Sequence, residues 1–193
     1  MDIFEAIKTR RSIRHFTSAS VEDEKVEAIL EAGRWAPSWK NTQCWRFIVV
    51  RDAGTRAKLA NTVIDVIRDN VPGKNGAADA IRQAPLTIVA CAEVGKSGMN
   101  GGKFATDKGD WYMFDVALAM ENIVLAAHAL GLGTVHAGLM DAKKAAEILG
   151  VPAGFCVVEM TPLGYPDPAY AAKAPTRKPL VEIVYQEGWG KEK

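Results

Sequence analysis

The spacing of apolar residues along the chain predicts helices that alternate with short strands. Asp2 and Glu5 have the spacing of a helix N-terminal cap, and Ile3, Phe4 and Ile7 then fall on one helical face, which predicts a first helix. The same reasoning predicts further helices from Ser20 and over about 55–70, 111–130 and 141–149, and strands at 47–50, 86–92, 134–137 and 155–160. This alternation is typical of both α/β and α+β proteins, and periodicity alone does not choose between them.

The most apolar segment, 114–132, has the length of a membrane span. It contains Asp115, Glu121 and Asn122, each of which is costly in lipid, so we interpret the segment as a buried core helix. The Met and aromatic residues at 111–114 are expected in the same core. The first residues of the chain carry acidic side chains and no apolar run typical of a secretory leader, and we expect no membrane association.

Composition narrows the class of protein. The chain has 193 residues, of which 48% are hydrophobic, and its 24 basic and 23 acidic residues give a formal net charge of +1. A chain of this length and apolar content predicts a single domain over 1–193, and it excludes a disordered segment. A near-neutral charge also argues against nucleic acid as the main partner.

The cysteines and glycines exclude several familiar sites. Cys44, Cys91 and Cys156 lie far apart, which indicates neither a metal site nor a disulfide framework and favours a cytoplasmic setting. Five glycines between 95 and 109 predict a long loop, of the kind that often forms a lid or a binding segment. Neither this loop nor the Gly-x-Gly at 131–133 completes a P-loop or a dinucleotide-binding motif.

Two clusters of polar residues carry candidate binding chemistry. Between Lys8 and Arg14 the chain has four basic residues and a serine, and guanidinium groups bind phosphate in a bidentate manner. A solvent-exposed charge run and a nucleic-acid-binding arm are the alternatives. The segment 37–45 places Ser, Asn, Thr and Gln between two tryptophans, which suits the edge of a flat heterocycle, although an ordinary turn has the same composition.

Two weaker candidates lie in the second half of the chain. His136 follows a predicted strand, where a histidine is either structural or part of a site. Arg177 and Lys178 form a basic pair between two prolines, which is either solvent-exposed or a distant second arm of an anion site.

Together these segments resemble the FMN-dependent nitroreductase family. The resemblance rests on four motifs that occur in the family's order and span nearly the whole chain. They are the R-R-S-x-R-x-F of residues 10–16, the A-P-S-x-x-N-x-Q-x-W-x-F of residues 36–47, the L-A-A-x-x-x-G-L-G that ends the helix of 115–133, and the R-K-P-L of residues 177–180.

The resemblance implies an α+β fold in which helices wrap a central, mainly antiparallel sheet. It further implies an intertwined homodimer, in which the partner chain contributes the last strand of each sheet and two FMN molecules lie at the interface. The implied activity is transfer of hydride from NADH or NADPH through flavin N5 to a nitroaromatic, a quinone or a similar small-molecule acceptor, in a ping-pong cycle. A flavin-binding or sensor protein without significant turnover is the alternative.

The resemblance also assigns roles to the basic residues. Arg10 and Ser12 would hold the phosphate and ribityl end of FMN, and Arg11 would contribute main-chain contacts. Arg14 would lie near the pyrimidine edge of the flavin, and Arg177 would return to the phosphate from the far end of the chain.

The remaining implied residues are smaller. Ser38 and Asn41 would reach the flavin from the other subunit, with Gln43 in support, and Ala137 and Gly138 would line the flavin through backbone groups. No catalytic acid or base and no metal ligand is implied, because the cofactor carries the hydride chemistry. The chain departs from the family at Cys44, where proline is usual, and at His136, where many members have tryptophan.

Overall fold

The computed structural model describes residues 1–68 and 70–190. Within them the α-helices are α1 (Ile3–Thr9), α2 (Asp23–Arg34), α3 (Ala53–Ala60), α4 (Gly76–Gln83), α5 (Tyr112–Ala129) and α6 (Ala142–Leu149). The strands are β1 (Trp45–Val50), β2 (Val66–Arg68), β3 (Val71–Gly73), β4 (Leu86–Glu93), β5 (Met99–Asn100), β6 (Lys103–Phe104), β7 (Gly133–Thr134) and β8 (Phe155–Gly164).

The main sheet has four strands in the order β1-β4-β8-β7, and all of its pairs are antiparallel. The register places Trp45 of β1 opposite Ala92 of β4, and Ala92 opposite Cys156 of β8. At the other end of β8, Leu163 pairs with Thr134 of β7. The mixture of separate helices with an antiparallel sheet confirms the predicted α+β class.

Alternate residues of the central strand β4 face two different layers of helices. Ile88 and Ala90 pack in one hydrophobic cluster with residues of α2 and α5, whereas Val89 and Cys91 pack in another with α3, α4 and α6. The seven residues Leu86–Ala92 are all buried, as a strand covered on both faces requires. Helices therefore wrap the sheet on both sides, as the resemblance implies.

Side-chain caps confirm two of the predicted helix starts. Asp2 accepts hydrogen bonds from the backbone N–H groups of Phe4 and Glu5, at 2.8 and 3.0 Å, and so begins α1. Asp141 accepts from Lys144 N at 3.0 Å and begins α6. The second helix begins at Asp23, three residues later than the predicted Ser20.

The predicted helix over 55–70 is confirmed in its first part and wrong after residue 60. The observed helix, α3, ends at Ala60, and Thr62 then donates its backbone N–H and its hydroxyl to Leu59 O at 2.9 and 2.7 Å. The chain next pairs with 139–141, through Ile64 N to Leu139 O at 3.0 Å, and continues into the hairpin of β2 and β3. Asp69 of the predicted helix lies outside the described residues.

Three smaller expectations are also corrected. A strand is expected at 134–137, but the observed strand β7 covers only Gly133–Thr134, and Ala137 forms a single bridge to Met160. Strand β8 continues past the predicted end to Gly164. The glycine-rich loop contains the short hairpin of β5 and β6.

The predicted burial of the residues that begin α5 is wrong in part. Met113 and Phe114 are 56% and 58% exposed, because the face of α5 that carries them points away from α2 and the sheet. Among the described residues, no helix combines the length and the apolar character that a membrane crossing requires.

Candidate functional site

Residues 10–14, which we call the arginine-rich segment, run along the edge of the sheet beside β7. Ile13 N donates to Thr134 O at 2.8 Å, and Ser12 and Thr134 form a parallel bridge. Glycine is required at 133, because a Cβ there would lie 2.8 Å from the Cβ of Ile13. With Ile13 packed against the strand, Ser12 and Arg14 on either side of it are exposed.

Both ends of the chain contribute to one cationic cleft of about 390 Å³. Five of its lining residues carry a positive charge and none carries a negative charge. The lining residues are Arg10, Arg11, Ser12, Arg14, Ala172, Lys173, Pro175 and Arg177. Arginine forks and a serine hydroxyl are the groups that bind a phosphate, so the lining of this cleft fits a phosphorylated ligand.

The guanidinium of Arg11 is turned back on its own backbone. Its Nη1 donates to Lys8 O at 2.7 Å and to Arg10 O at 2.8 Å. Arg11 therefore shapes the segment as well as adding charge to the cleft. Lys173 also lines the cleft and was not predicted, because an isolated lysine in an irregular tail has no distinguishing signal.

The polar cluster that follows α2 forms an unusual turn, residues 38–44, which we call the left-handed turn. Lys40, Asn41 and Gln43 have φ angles of 45°, 55° and 47°, a region that residues other than glycine seldom occupy. Ser38 Oγ accepts from Gln43 N at 2.9 Å, and Gln43 Nε2 donates to Asn41 Oδ1 at 3.2 Å. Strain of this kind persists only where the surroundings enforce it, and it is common in binding sites.

Within one chain, the left-handed turn lies at the opposite corner of the sheet from the arginine-rich segment. The turn leads into Trp45 of β1, which lies level with Cys156 of β8 across the sheet. The arginine-rich segment instead adjoins Thr134 of β7, which pairs with Leu163 at the other end of β8. Seven residues along β8 and three strand spacings separate these corners, a distance of roughly 25 Å by ordinary strand geometry. One chain therefore does not bring Ser38, Asn41 and Gln43 to the cationic cleft.

The loop 136–138 continues from β7, next to the arginine-rich segment. Ala137 is buried and exchanges backbone hydrogen bonds with Met160, at 2.9 and 3.2 Å, whereas Gly138 is exposed. The imidazole Nδ1 of His136 lies 2.9 and 3.0 Å from the two carboxylate oxygens of Glu159. This hydrogen bond to Glu159 raises the pKa of His136.

Glu159 was not predicted as part of the site. Its side chain is only 15% exposed, in a strand whose other residues are apolar apart from Thr161. A single acidic residue inside an apolar strand is a signal that sequence reasoning can use, since such a carboxylate needs a partner.

Two further observations limit the chemistry of the protein. Over residues 1–68 and 70–190, no three His, Cys, Asp or Glu side chains group as a metal site would require. Burial raises the pKa of Cys91 to about 11, and burial together with the charge of Asp115 raises the pKa of Cys44 to about 12. Neither thiol is a thiolate nucleophile at neutral pH.

Solved structures share this fold along nearly the whole chain. A nitroreductase family protein from Clostridium novyi is 33% identical, with a TM-score of 0.75, over 100% of this chain and 97% of that one. An FMN-dependent nitroreductase from Clostridium difficile is 28% identical, with a TM-score of 0.76, over 97% of this chain and 100% of that one.

Sequence relatives agree with the solved structures. A protein of Methanothermobacter thermautotrophicus, whose name places it with the NADH dehydrogenases and NAD(P)H nitroreductases, is 32% identical over 170 residues, covering 86% of this chain and 78% of its own. The family model for the nitroreductase family matches residues 7–165, which include the arginine-rich segment, the left-handed turn and the loop 136–138. The chain therefore belongs to the nitroreductase family.

Proposed function

We propose that this protein is an FMN-dependent NAD(P)H oxidoreductase that reduces nitroaromatics, quinones or similar small acceptors. The observation that carries the proposal is the cationic cleft, which residues from both ends of the chain line and whose described lining contains no acidic side chain. Membership of the nitroreductase family supports the identity of the ligand.

The residues of the cleft divide the work of holding the cofactor. Arg10 and Arg177 offer two guanidinium forks to the phosphate, and the hydroxyl of Ser12 adds a neutral donor. Arg14 also lines the cleft, and its Cδ lies 3.2 Å from the position that a Cβ on Gly76 would take. Its fixed positive charge would stabilise negative charge on the pyrimidine ring of a bound flavin.

FMN, when bound, would supply the redox chemistry, which is hydride transfer from NADH or NADPH to an acceptor in a ping-pong cycle. The protein would bind and orient the cofactor. The backbone of Ala137 and Gly138, in the loop that continues from β7, would line the ring. No protein acid or base is required for the hydride step.

We infer that the protein is a homodimer whose two chains complete each flavin site. Since the left-handed turn and the cationic cleft lie roughly 25 Å apart within a chain, a shared ligand requires the turn of a second chain. Two exposed apolar patches are available for such a contact. One is formed by Ile3, Phe4 and Ile7 of α1, which are 57%, 72% and 55% exposed, and the other by Met113 and Phe114 at the start of α5.

The tail that follows β8 supports the same inference. Over residues 165–190 it is irregular apart from a bridge between Pro166 and Phe16 and a short 3₁₀ turn at Leu180–Glu182. It exposes large apolar residues that a partner chain would cover. These residues are Leu180, Val181, Ile183, Val184 and Trp189. We further propose a cytoplasmic location, which accords with the three free cysteines.

An absorbance spectrum of the purified protein tests the proposal. We expect flavin bands that bleach when NADH or NADPH is added under argon and return with menadione or a nitrofuran. Arg177→Ala should lose flavin, whereas Arg51→Ala, which removes an arginine that pairs with Asp23 away from the cleft, should retain it. A protein that stays colourless with added FMN would overturn the proposal.

Turnover and nucleic-acid binding separate the alternatives. A protein that holds FMN but oxidises NAD(P)H no faster than free FMN would be a flavin-binding or sensor protein. Salt-sensitive retention of RNA or DNA would indicate that the basic segment is a nucleic-acid arm, and we expect none at low salt.

A further inference from the structure

A single buried carboxylate joins two segments that are distant in sequence. Asp115, in the first turn of α5, is 1% exposed. Its oxygens accept hydrogen bonds from Trp39 N at 3.1 and 3.2 Å and from Ser97 Oγ at 2.6 Å. Thr42 Oγ1 and Cys44 Sγ approach the same carboxylate at 3.5 and 3.7 Å.

Hydrogen bonds rather than an ion pair hold this carboxylate. Among the described residues, no basic side chain forms a salt bridge with Asp115. An uncompensated buried charge is costly, so the donors that surround Asp115 must stay in place if the carboxylate is to remain where it is. Its place near the N-terminus of α5 adds the favourable end of the helix dipole.

The donors come from both ends of the left-handed turn. Trp39 and Cys44 flank the residues with positive φ, so Asp115 holds the strained backbone at its two ends. A turn that adopts an unfavourable backbone conformation needs such outside support. Ser38, Asn41 and Gln43 project from the same turn.

The remaining strong donor, Ser97, belongs to the glycine-rich loop 95–109. That loop also contacts the turn directly, since Trp39 Nε1 donates to Met99 O at 3.4 Å and Lys40 Nζ donates to Asn100 Oδ1 at 3.2 Å. The turn and the loop are therefore attached to each other and to one carboxylate.

We propose that Asp115 is a positioning residue for the flavin site, which fixes the left-handed turn in the shape that presents Ser38, Asn41 and Gln43 to the cofactor and couples the glycine-rich loop to that turn. The inference rests on the proposed function for its cofactor and on the contacts of Asp115 for its mechanism. It has a direct consequence: flavin binding protects the loop as well as the turn, although the loop supplies none of the predicted flavin contacts.

Asp115→Asn tests the proposal with the full-length protein. The substitution keeps the shape but replaces one accepting oxygen by an N–H₂ donor, so at least one hydrogen bond is lost. We expect backbone hydrogen exchange in 38–44 and 95–109 to accelerate together, while exchange in 10–17 is unchanged. The dissociation constant for FMN should rise about tenfold, the scale of one lost hydrogen bond to a charged group.

Two further variants separate positioning from general destabilisation. Ser97→Ala, which removes one donor from the loop, should accelerate exchange in the turn as well, and it tests the coupling even if Asp115→Asn fails to fold. Thr87→Val alters a buried hydroxyl that has no hydrogen-bond partner among the described residues, and it should change neither exchange in the turn nor FMN affinity.

Each outcome has one meaning. Unchanged exchange in either segment of Asp115→Asn would overturn the coupling, and altered exchange with wild-type FMN affinity would overturn the positioning role. If the wild-type protein binds no FMN, the proposed function fails, whereas the exchange measurements still decide whether Asp115 joins the turn to the loop.

Discussion

Arg14 is the residue whose proposed role is most specific to the flavin ring. Arg14→Ala should lower FMN affinity or shift the flavin midpoint potential to a more negative value, because a fixed cation near the pyrimidine edge is lost. Fluorescence titration and potentiometry measure these two quantities. Arg14→Lys is the matched control. It should keep the midpoint potential close to the wild-type value, since it keeps the charge without the guanidinium fork. Wild-type affinity and potential in Arg14→Ala would show that Arg14 is misplaced.

Gly133 determines how closely the arginine-rich segment approaches the sheet. Gly133→Ala places a Cβ 2.8 Å from Ile13 and should displace the segment, with a loss of about 1–3 kcal/mol in the free energy of unfolding. FMN affinity should fall in parallel. Gly73→Ala is the control, since its Cβ would meet nothing closer than 3.9 Å. Urea unfolding of the three proteins tests this, and equal midpoints for wild type and Gly133→Ala would contradict it.

The pair of His136 and Glu159 predicts a pH dependence with a defined sign. The hydrogen bond to Glu159 raises the pKa of His136 in the folded protein. The stability that this pair gives to the folded state is therefore complete below the ordinary histidine pKa of about 6.5, and it is lost as pH rises through the raised value. Glu159→Gln should therefore be less stable than wild type at about pH 6 and approach it at about pH 9. Thermal unfolding across this range measures the difference, and a gap that widens with pH would refute the assignment.

At this scale, the sequence indicated most of the residues that line the cationic cleft. Arg10, Ser12 and Arg177 stand in recognisable basic motifs, and the structure brings them to one cleft. The sequence identifies Asp115 only as a charged residue that argues against a membrane-spanning helix. Its donors come from two other segments, and no local pattern reveals hydrogen bonds between residues so far apart in the sequence.

At the scale of elements, prediction failed where tertiary contacts outweigh local periodicity. The apolar spacing of 59, 63, 66 and 67 is helical, but Thr62 ends the helix and pairing with 139–141 extends the chain. Ile67 is consequently 73% exposed instead of inward-facing. By contrast, helices α1, α5 and α6 were predicted well, because their caps or long apolar runs are local.

The exposed apolar residues of α1 and α5 carry a prediction about assembly. Phe4→Glu with Phe114→Glu should convert the proposed dimer to a monomer, because two charges would be buried in an apolar contact. Light scattering after size exclusion gives the mass, and FMN should be lost with the dimer. The control is Val71→Glu, an exposed apolar position in the β2–β3 hairpin rather than in α1 or α5. A monomeric wild type that still binds FMN would contradict the shared site.

At the scale of the whole molecule, the fold class required more than periodicity. Alternating helices and strands are compatible with both α/β and α+β folds. The α+β class is implied by the four motifs, which occur in the order that the nitroreductase family has. The antiparallel sheet then follows from pairings between β1, β4 and β8 that are remote in sequence. How two chains assemble is the property that the sequence specifies least directly, since it depends on which apolar faces remain exposed after folding.

The placement of the left-handed turn and the cationic cleft at opposite corners of the sheet has a consequence for mixed dimers. In the proposed shared site, an Arg10→Ala chain and an Asn41→Ala chain would each be defective at both sites of their own homodimers. Paired with each other, they would form one site with both defects and one site with neither. Unfolding and refolding an equal mixture should therefore restore about a quarter of the FMN-binding capacity, which neither variant recovers alone. Such complementation would not occur if each chain completed its own site.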